Sequence, residues 1–200
     1  MTIFGPGSEW FWAMAQFVLV AATLLGLYRQ IRQANAANAL QRMESLQGEW
    51  NSPRMTYARM AVAIWRKHTT SPEPDVEAQV PLAWLCNFFE NLSDLYLEGY
   101  LTWKEIENTW GPPLVLWWAV LEGTIKTSRA KNKSAYAGFE LLAKRALTTA
   151  AKRGDDWSIA AEDIPGLLEV QIGRNRTRLR LLREIENGIL PDEPAPPPST

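Results

Sequence analysis

Residues 10–28, WFWAMAQFVLVAATLLGLY, form a run of nineteen residues without a charged side chain, and Arg29 and Arg32 follow it closely. A helix rises about 1.5 Å per residue, so this length nearly crosses a hydrocarbon core of roughly 30 Å. Backbone groups inside a bilayer must be satisfied within the segment, which makes the run a helix if it is a span. Its two polar residues, Gln16 and Thr23, can bond to backbone or to neighbouring helices. Trp10, Trp12 and Tyr28 sit at the ends, where amphipathic rings prefer the headgroup layer; with Arg29 and Arg32 they form the expected membrane-interface set. Glu9 precedes the run without any Lys or Arg, whereas Arg29, Arg32 and Arg42 follow it. The positive-inside rule then places the N-terminus outside and the rest of the chain in the cytoplasm. A cleavable signal peptide has the opposite order, with basic residues ahead of the apolar core. Two other apolar runs, 80–89 and 112–121, have the length of core helices, so a single span is expected.

Cys86 is the only cysteine, which excludes an internal disulfide and fits a reducing compartment. The net charge of −1 conceals a segregation. Residues 73–122 are strongly acidic, with Lys104 as their only basic residue, and residues 126–153 are basic, with Glu140 the acidic exception before Arg153. Segments of opposite sign suit neighbouring helices of one bundle, although exposed pairs contribute only about 0–1 kcal/mol each.

Apolar residues recur at three- and four-residue spacing after the span, and no useful length alternates with period two. The chain is therefore expected to be all-α: an N-terminal transmembrane helix continuing into a stalk, then a cytoplasmic helical bundle. The expected divisions are a short extracytoplasmic segment 1–9, the span 10–28, a stalk 29–50, a bundle 51–153, an Arg-rich helix 154–187 and a disordered Pro-rich tail 188–200. Within the bundle, Ser52-Pro53 reads as a cap followed by a first helical position, and Thr102-Trp103-Lys104-Glu105 as a capping box. Helices are expected over 53–67, 80–98, 102–110, 113–129, 134–152 and 164–187, with Gly111-Pro112-Pro113 as a break between the third and fourth of these.

Catalytic signatures are scarce. Gly123-Thr124-Ile125-Lys126-Thr127 lacks the glycine pattern of a phosphate loop, and His68 is the sole histidine, so sites built on two histidines are excluded. Cys86 lies in an apolar helix, where a free cysteine is normally packing. Glu90, Asp94 and Glu98 form an acidic stripe at four-residue spacing, best read as a solvated or arginine-paired face. Glu90 and Glu140 each follow a core-facing Phe, and a carboxylate beside a core needs a partner; Arg54 or Arg59 is expected to supply buried ion pairs. The last helix carries Arg174, Arg176, Arg178, Arg180 and Arg183 around a stripe of Leu168, Ile172, Asn175, Leu179 and Leu182. These arginines scatter around the helix and make no nucleic-acid-reading face; they suit an acidic partner or anionic lipid, or else solvate a helix docked on the bundle. Trp117 and Trp118 point about 100° apart, so either one fills the core and the other is left outside as an interaction anchor, or the helix is central and both rings are covered within the chain.

The aromatic-ended span running into Tyr28-Arg29-Gln30-Ile31-Arg32-Gln33, then Phe88-Phe89-Glu90, Gly99-Tyr100-Leu101, Trp110, Trp117-Trp118 and Phe139-Glu140, resembles a widespread bacterial family of single-span membrane proteins known only as a domain of unknown function. The resemblance covers about residues 10–147. It implies an all-helical cytoplasmic domain on an anchor in the bacterial inner membrane, and it implies no activity. Members usually have Asn-Thr after the Ile-Arg-Gln, where this chain has Ala34-Asn35. The expected function is a membrane-tethered interaction module, not an enzyme, with no cofactor or metal. Its expected partners are the bilayer and a protein or a second copy of itself. The alternative is a ligand-responsive sensor acting through the stalk, its ligand unknown.

Overall fold

The computed structural model describes residues 9–187, apart from the side chains of residues 9, 32, 34–36 and 39. The expectations for segment 1–8, the Pro-rich tail and the Arg32 side chain lie outside the described residues. The described chain is helical, without strands: α1 Glu9–Asn51, α2 Pro53–His68, α3 Val76–Leu97, α4 Trp103–Arg129, α5 Ala137–Lys152 and α6 Ile164–Glu186. Two compact units divide it, Met1–Leu46 and Gln47–Thr200.

In the first unit, Trp10–Ile31 is a stretch of helix long and apolar enough to cross a membrane, and none of its span is buried. Thr23 satisfies its hydroxyl within the helix by donating to the Leu19 carbonyl at 2.8 Å. Trp10, Trp12, Tyr28 and Arg29 are all exposed.

In the second unit the helix starts follow local chemistry. Ser52 accepts from the Met55 amide at 3.1 Å ahead of α2, and Asp75 accepts from the Ala78 amide at 2.8 Å ahead of α3. Thr102 and Glu105 form the capping box of α4, the Thr102 amide donating to Glu105 at 2.7 Å. Gly99 and Gly154, both at positive φ, follow α3 and α5 in the left-handed conformation that glycine adopts without strain.

One expectation is corrected here. Gly111-Pro112-Pro113 does not break the chain into two helices: α4 continues through it to Arg129. A proline inside a helix costs about 3 kcal/mol, but Trp110, Leu114, Val115, Trp117 and Trp118 are buried on both sides of the pair, and their burial holds the two halves in one rod. The Arg-rich helix, for its part, docks on the rest of this unit. α6 packs on α2 more extensively than any other helix pair in this unit, burying Leu168, Ile172 and Asn175. The half-heptad stripe thus docks within the chain.

The core is aromatic. Phe88 and Phe89 of α3, Trp110 and Trp117 of α4 and Phe139 of α5 are essentially inaccessible. Trp118 is also buried, at 5% exposure, against Phe139 with ring centroids 5.5 Å apart. Of the two alternatives for Trp117 and Trp118, the structure has the central helix with both rings covered within the chain. Opposite directions from α4 both meet protein because α5 covers one side of that helix while the 155–160 segment lies near the other.

Candidate binding cleft

The two carboxylates singled out beside the core are held differently from the expectation. Glu90 accepts from the backbone amides of Gly138 at 3.1 Å and Phe139 at 3.0 Å, at the start of α5. Free N–H groups and the positive end of the helix dipole satisfy this carboxylate, so it needs neither Arg54 nor Arg59. Glu140 forms ion pairs with Arg129 and with Lys144, and these partners hold its carboxyl below the usual carboxylate range, Lys144 contributing most. Arg54 instead pairs with Glu49 at 3.4 Å, its guanidinium 5.3 Å from the Trp84 ring centroid. The Cys86 thiol is fully buried, and burial together with the Glu90 charge pushes its pKa up; His68 is exposed at the end of α2. Asp94 and Glu98 are exposed, and among the described residues no group of acidic, His and Cys side chains could hold a metal.

Arg59 lies elsewhere, and it organises the principal concavity of the second unit. This cleft, of about 540 Å³, is walled by α2, α4 and α6, by Trp50 at the end of α1, and by the 155–160 segment. Arg59 is 4% exposed and has no carboxylate partner among the described residues. Its Nη1 donates to the Trp50 carbonyl at 2.6 Å, and its guanidinium lies 4.1 Å from the Trp50 ring centroid. Burial, with repulsion from Arg178 second, lowers its pKa to about 10. An unpaired buried cation costs several kcal/mol, so this arrangement is held by the fold around it rather than stabilising it.

Two more arginines of α6 line the same cleft. Arg178 donates to the Asn51 side-chain oxygen at 2.9 Å and to the Asn51 carbonyl at 3.1 Å. Arg174 is exposed and forms no ion pair among the described residues. Between them Asn175 is 2% exposed, and its Nδ2 has no acceptor. The one carboxylate in the lining, Asp156, is engaged by the Ser158 amide at 2.9 Å and the Ser158 hydroxyl at 2.5 Å, which hold its pKa down.

Trp157 supplies an aromatic wall. A Cβ on Gly111 would lie 2.7 Å from its ring, so the glycine is what lets the indole seat against α4. Arg153 lies 5.6 Å from the same ring centroid and pairs with Glu107 at 2.8 Å. Of the expected interaction residues, the structure brings Trp117, Arg174 and Arg178 to the cleft, joined by Arg59, which had been expected in an ion pair. Arg176 and Arg183 are exposed outside its lining, and Arg180 pairs with Glu184 at 3.6 Å. Sequence reasoning missed Trp50 and Trp157, and it placed Asn175 in the packing stripe of the last helix without pointing to the cleft. A glycine directly before two prolines was the available signal that something packs closely on α4.

Fold and cleft together define an all-helical domain that follows one N-terminal apolar helix and carries a basic, aromatic-walled cavity. The chain belongs to the family described as a domain of unknown function (DUF4760), whose model matches residues 13–146. No curated protein and no solved structure matches it. The matched region begins inside the apolar helix and ends within α5. Trp50, Arg59 and Trp117 fall inside it, whereas Trp157, Arg174, Asn175 and Arg178 come from the segment beyond.

Proposed function

We propose that the protein is a bacterial inner-membrane protein with a single span, its N-terminus outside and its helical domain in the cytoplasm acting as a binding module. The observation that carries the anchor is the uncovered apolar stretch Trp10–Ile31, with large exposed side chains such as Phe17, Leu19, Leu24 and Leu25. A contiguous apolar surface of this kind needs a lipid or protein covering. Arg29 near its C-terminal end and Arg42 beyond it, with no basic residue among residues 1–9, support the orientation. The convergence of Arg59, Arg174 and Arg178 on one cleft supports binding of an anionic group, and the one carboxylate of the lining, Asp156, is already engaged by the neighbouring Ser158.

The anchor is tested by alkaline extraction of membranes from cells expressing the full chain. The protein should remain in the pellet; release into the supernatant would refute the span. A cytoplasm-active reporter fused after Thr200 should function, and activity of a periplasm-dependent reporter at that position would refute the orientation.

A further inference from the structure

We propose that the cleft between α2, α4 and α6 binds the phosphate group of a small organic anion, with Arg59, Arg174 and Arg178 as its cationic wall and Trp157 beside the ligand's apolar or planar body. This assignment rests on the reading of the domain as a binding module. The cleft collects three guanidinium groups against the single carboxylate of Asp156. Capping of α1 accounts for part of that charge, since Arg59 and Arg178 bond to the Trp50 and Asn51 carbonyls. A helix C-terminus, however, supplies only about half a unit of negative charge. Arg174 has no such role, and the Asn175 amide nitrogen, though 2% exposed, lacks any acceptor.

The charge and shape select the ligand. Planar guanidinium groups match phosphate oxygens bidentately, and several of them suit a dianion better than a singly charged carboxylate. Arg59 is 4% exposed, so a group must enter the concavity to reach it, which a flat membrane or protein face cannot do. The volume of about 540 Å³ is that of a small-molecule site. Trp157, fixed against Gly111, offers a rigid aromatic surface next to the charges. A nucleotide and a short phospholipid both carry this chemistry, a phosphate joined to a planar or apolar body.

The test is calorimetric titration of the full chain in nanodiscs with pyrophosphate, ADP and dihexanoylphosphatidic acid. One saturable site per chain is expected, with ADP or the short lipid binding more tightly than pyrophosphate; whichever of the two binds identifies the source of the phosphate. Arg174→Gln, at an exposed position without structural bonds, should weaken binding by about tenfold, the loss of one charge-assisted contact. Arg176→Gln, two residues along and outside the lining, should leave it unchanged. Absence of saturable binding with every probe would overturn the assignment, as would equal losses in the two variants, the mark of diffuse charge attraction. Pyrophosphate binding as tightly as the larger probes would overturn the part given to Trp157. Membrane residence read by alkaline extraction is independent of these outcomes, so a chain that stays in the membrane and binds no probe refutes the ligand class alone.

Discussion

The carboxylate of Glu90, on α3, caps α5 from outside that helix by accepting the amide of Phe139 at 3.0 Å. α5 cannot cap itself: Tyr136 before it adopts a left-handed φ of 54° and its side chain makes no capping bond. Phe89 and Phe139 stack alongside, with centroids 4.5 Å apart and planes 16° from parallel. Arg129 closes the arrangement by donating to the Ala135 carbonyl at 2.9 Å and the Tyr136 carbonyl at 3.1 Å while pairing with Glu140. Phe88-Phe89-Glu90 and Gly138-Phe139-Glu140 are therefore two halves of one interlock between helices.

Loss of that cap should be measurable. Glu90→Ala is expected to destabilise the domain by about 1–2 kcal/mol, the range for a removed N-cap, and Glu90→Gln by less because it keeps an acceptor. Thermal unfolding followed by circular dichroism should show a fall of roughly 2–4 °C per kcal/mol. An unchanged midpoint in the Ala variant would show that the bonds carry no stability.

Gly138 is required for the close approach. A Cβ there would meet the Ser93 side chain at 2.6 Å, so Gly138→Ala should cost about 1–3 kcal/mol through overpacking. Ser93→Gly removes the obstructing atoms, and the double variant should recover part of the loss. Chemical denaturation of the four proteins of this cycle gives the coupling directly, and strict additivity would exclude the clash.

The Glu140 pairs predict a pH dependence. Lys144 and Arg129 lower the folded-state pKa of this carboxyl below its ordinary value of 4.5. The unfolded chain therefore takes up the proton first, so the contribution is complete above 4.5 and is lost as pH falls through the lowered folded value. Glu140→Gln should flatten that acid limb, by about 0.5–1 kcal/mol for a partly exposed network. Urea midpoints between pH 7 and pH 3 would reveal it; parallel profiles for both proteins would refute it.

Both tryptophans of the α4 pair belong to the core, at 1% and 5% exposure. Trp117→Ala and Trp118→Ala should each cost about 3–5 kcal/mol, and neither should weaken self-association while leaving the fold intact. Sedimentation paired with unfolding measurements decides this. A folded Trp118→Ala protein with weakened self-association would restore that residue as an interface anchor.

Local signals carried furthest in the sequence. Ser52 and the Thr102–Glu105 box cap helices where their spacing indicates, because a cap depends on residues within one turn. The run 10–28 was equally legible, since length and lack of charge suffice to mark it. What escaped depends on distant chain. The two prolines in α4 read as a break because the burial that offsets them is visible only once the flanking turns have partners. Glu90 seemed to need a cation because the amides at the start of α5 carry no mark in the side-chain sequence. Arg59 was assigned to a carboxylate, and nothing local announces that it faces Trp50 and two arginines 115 and 119 residues later.

The α5 and α6 boundaries have a consequence for how this protein varies and how it can be divided. The family match stops at residue 146, in the middle of α5, whereas α6 covers α2 and supplies Arg174, Asn175 and Arg178. A chain cut at that point would lay bare the α2 surface beneath α6 and open one side of the cleft. Heredity and cooperativity thus draw different borders here: the stretch recognisable as kin is shorter than the body that folds.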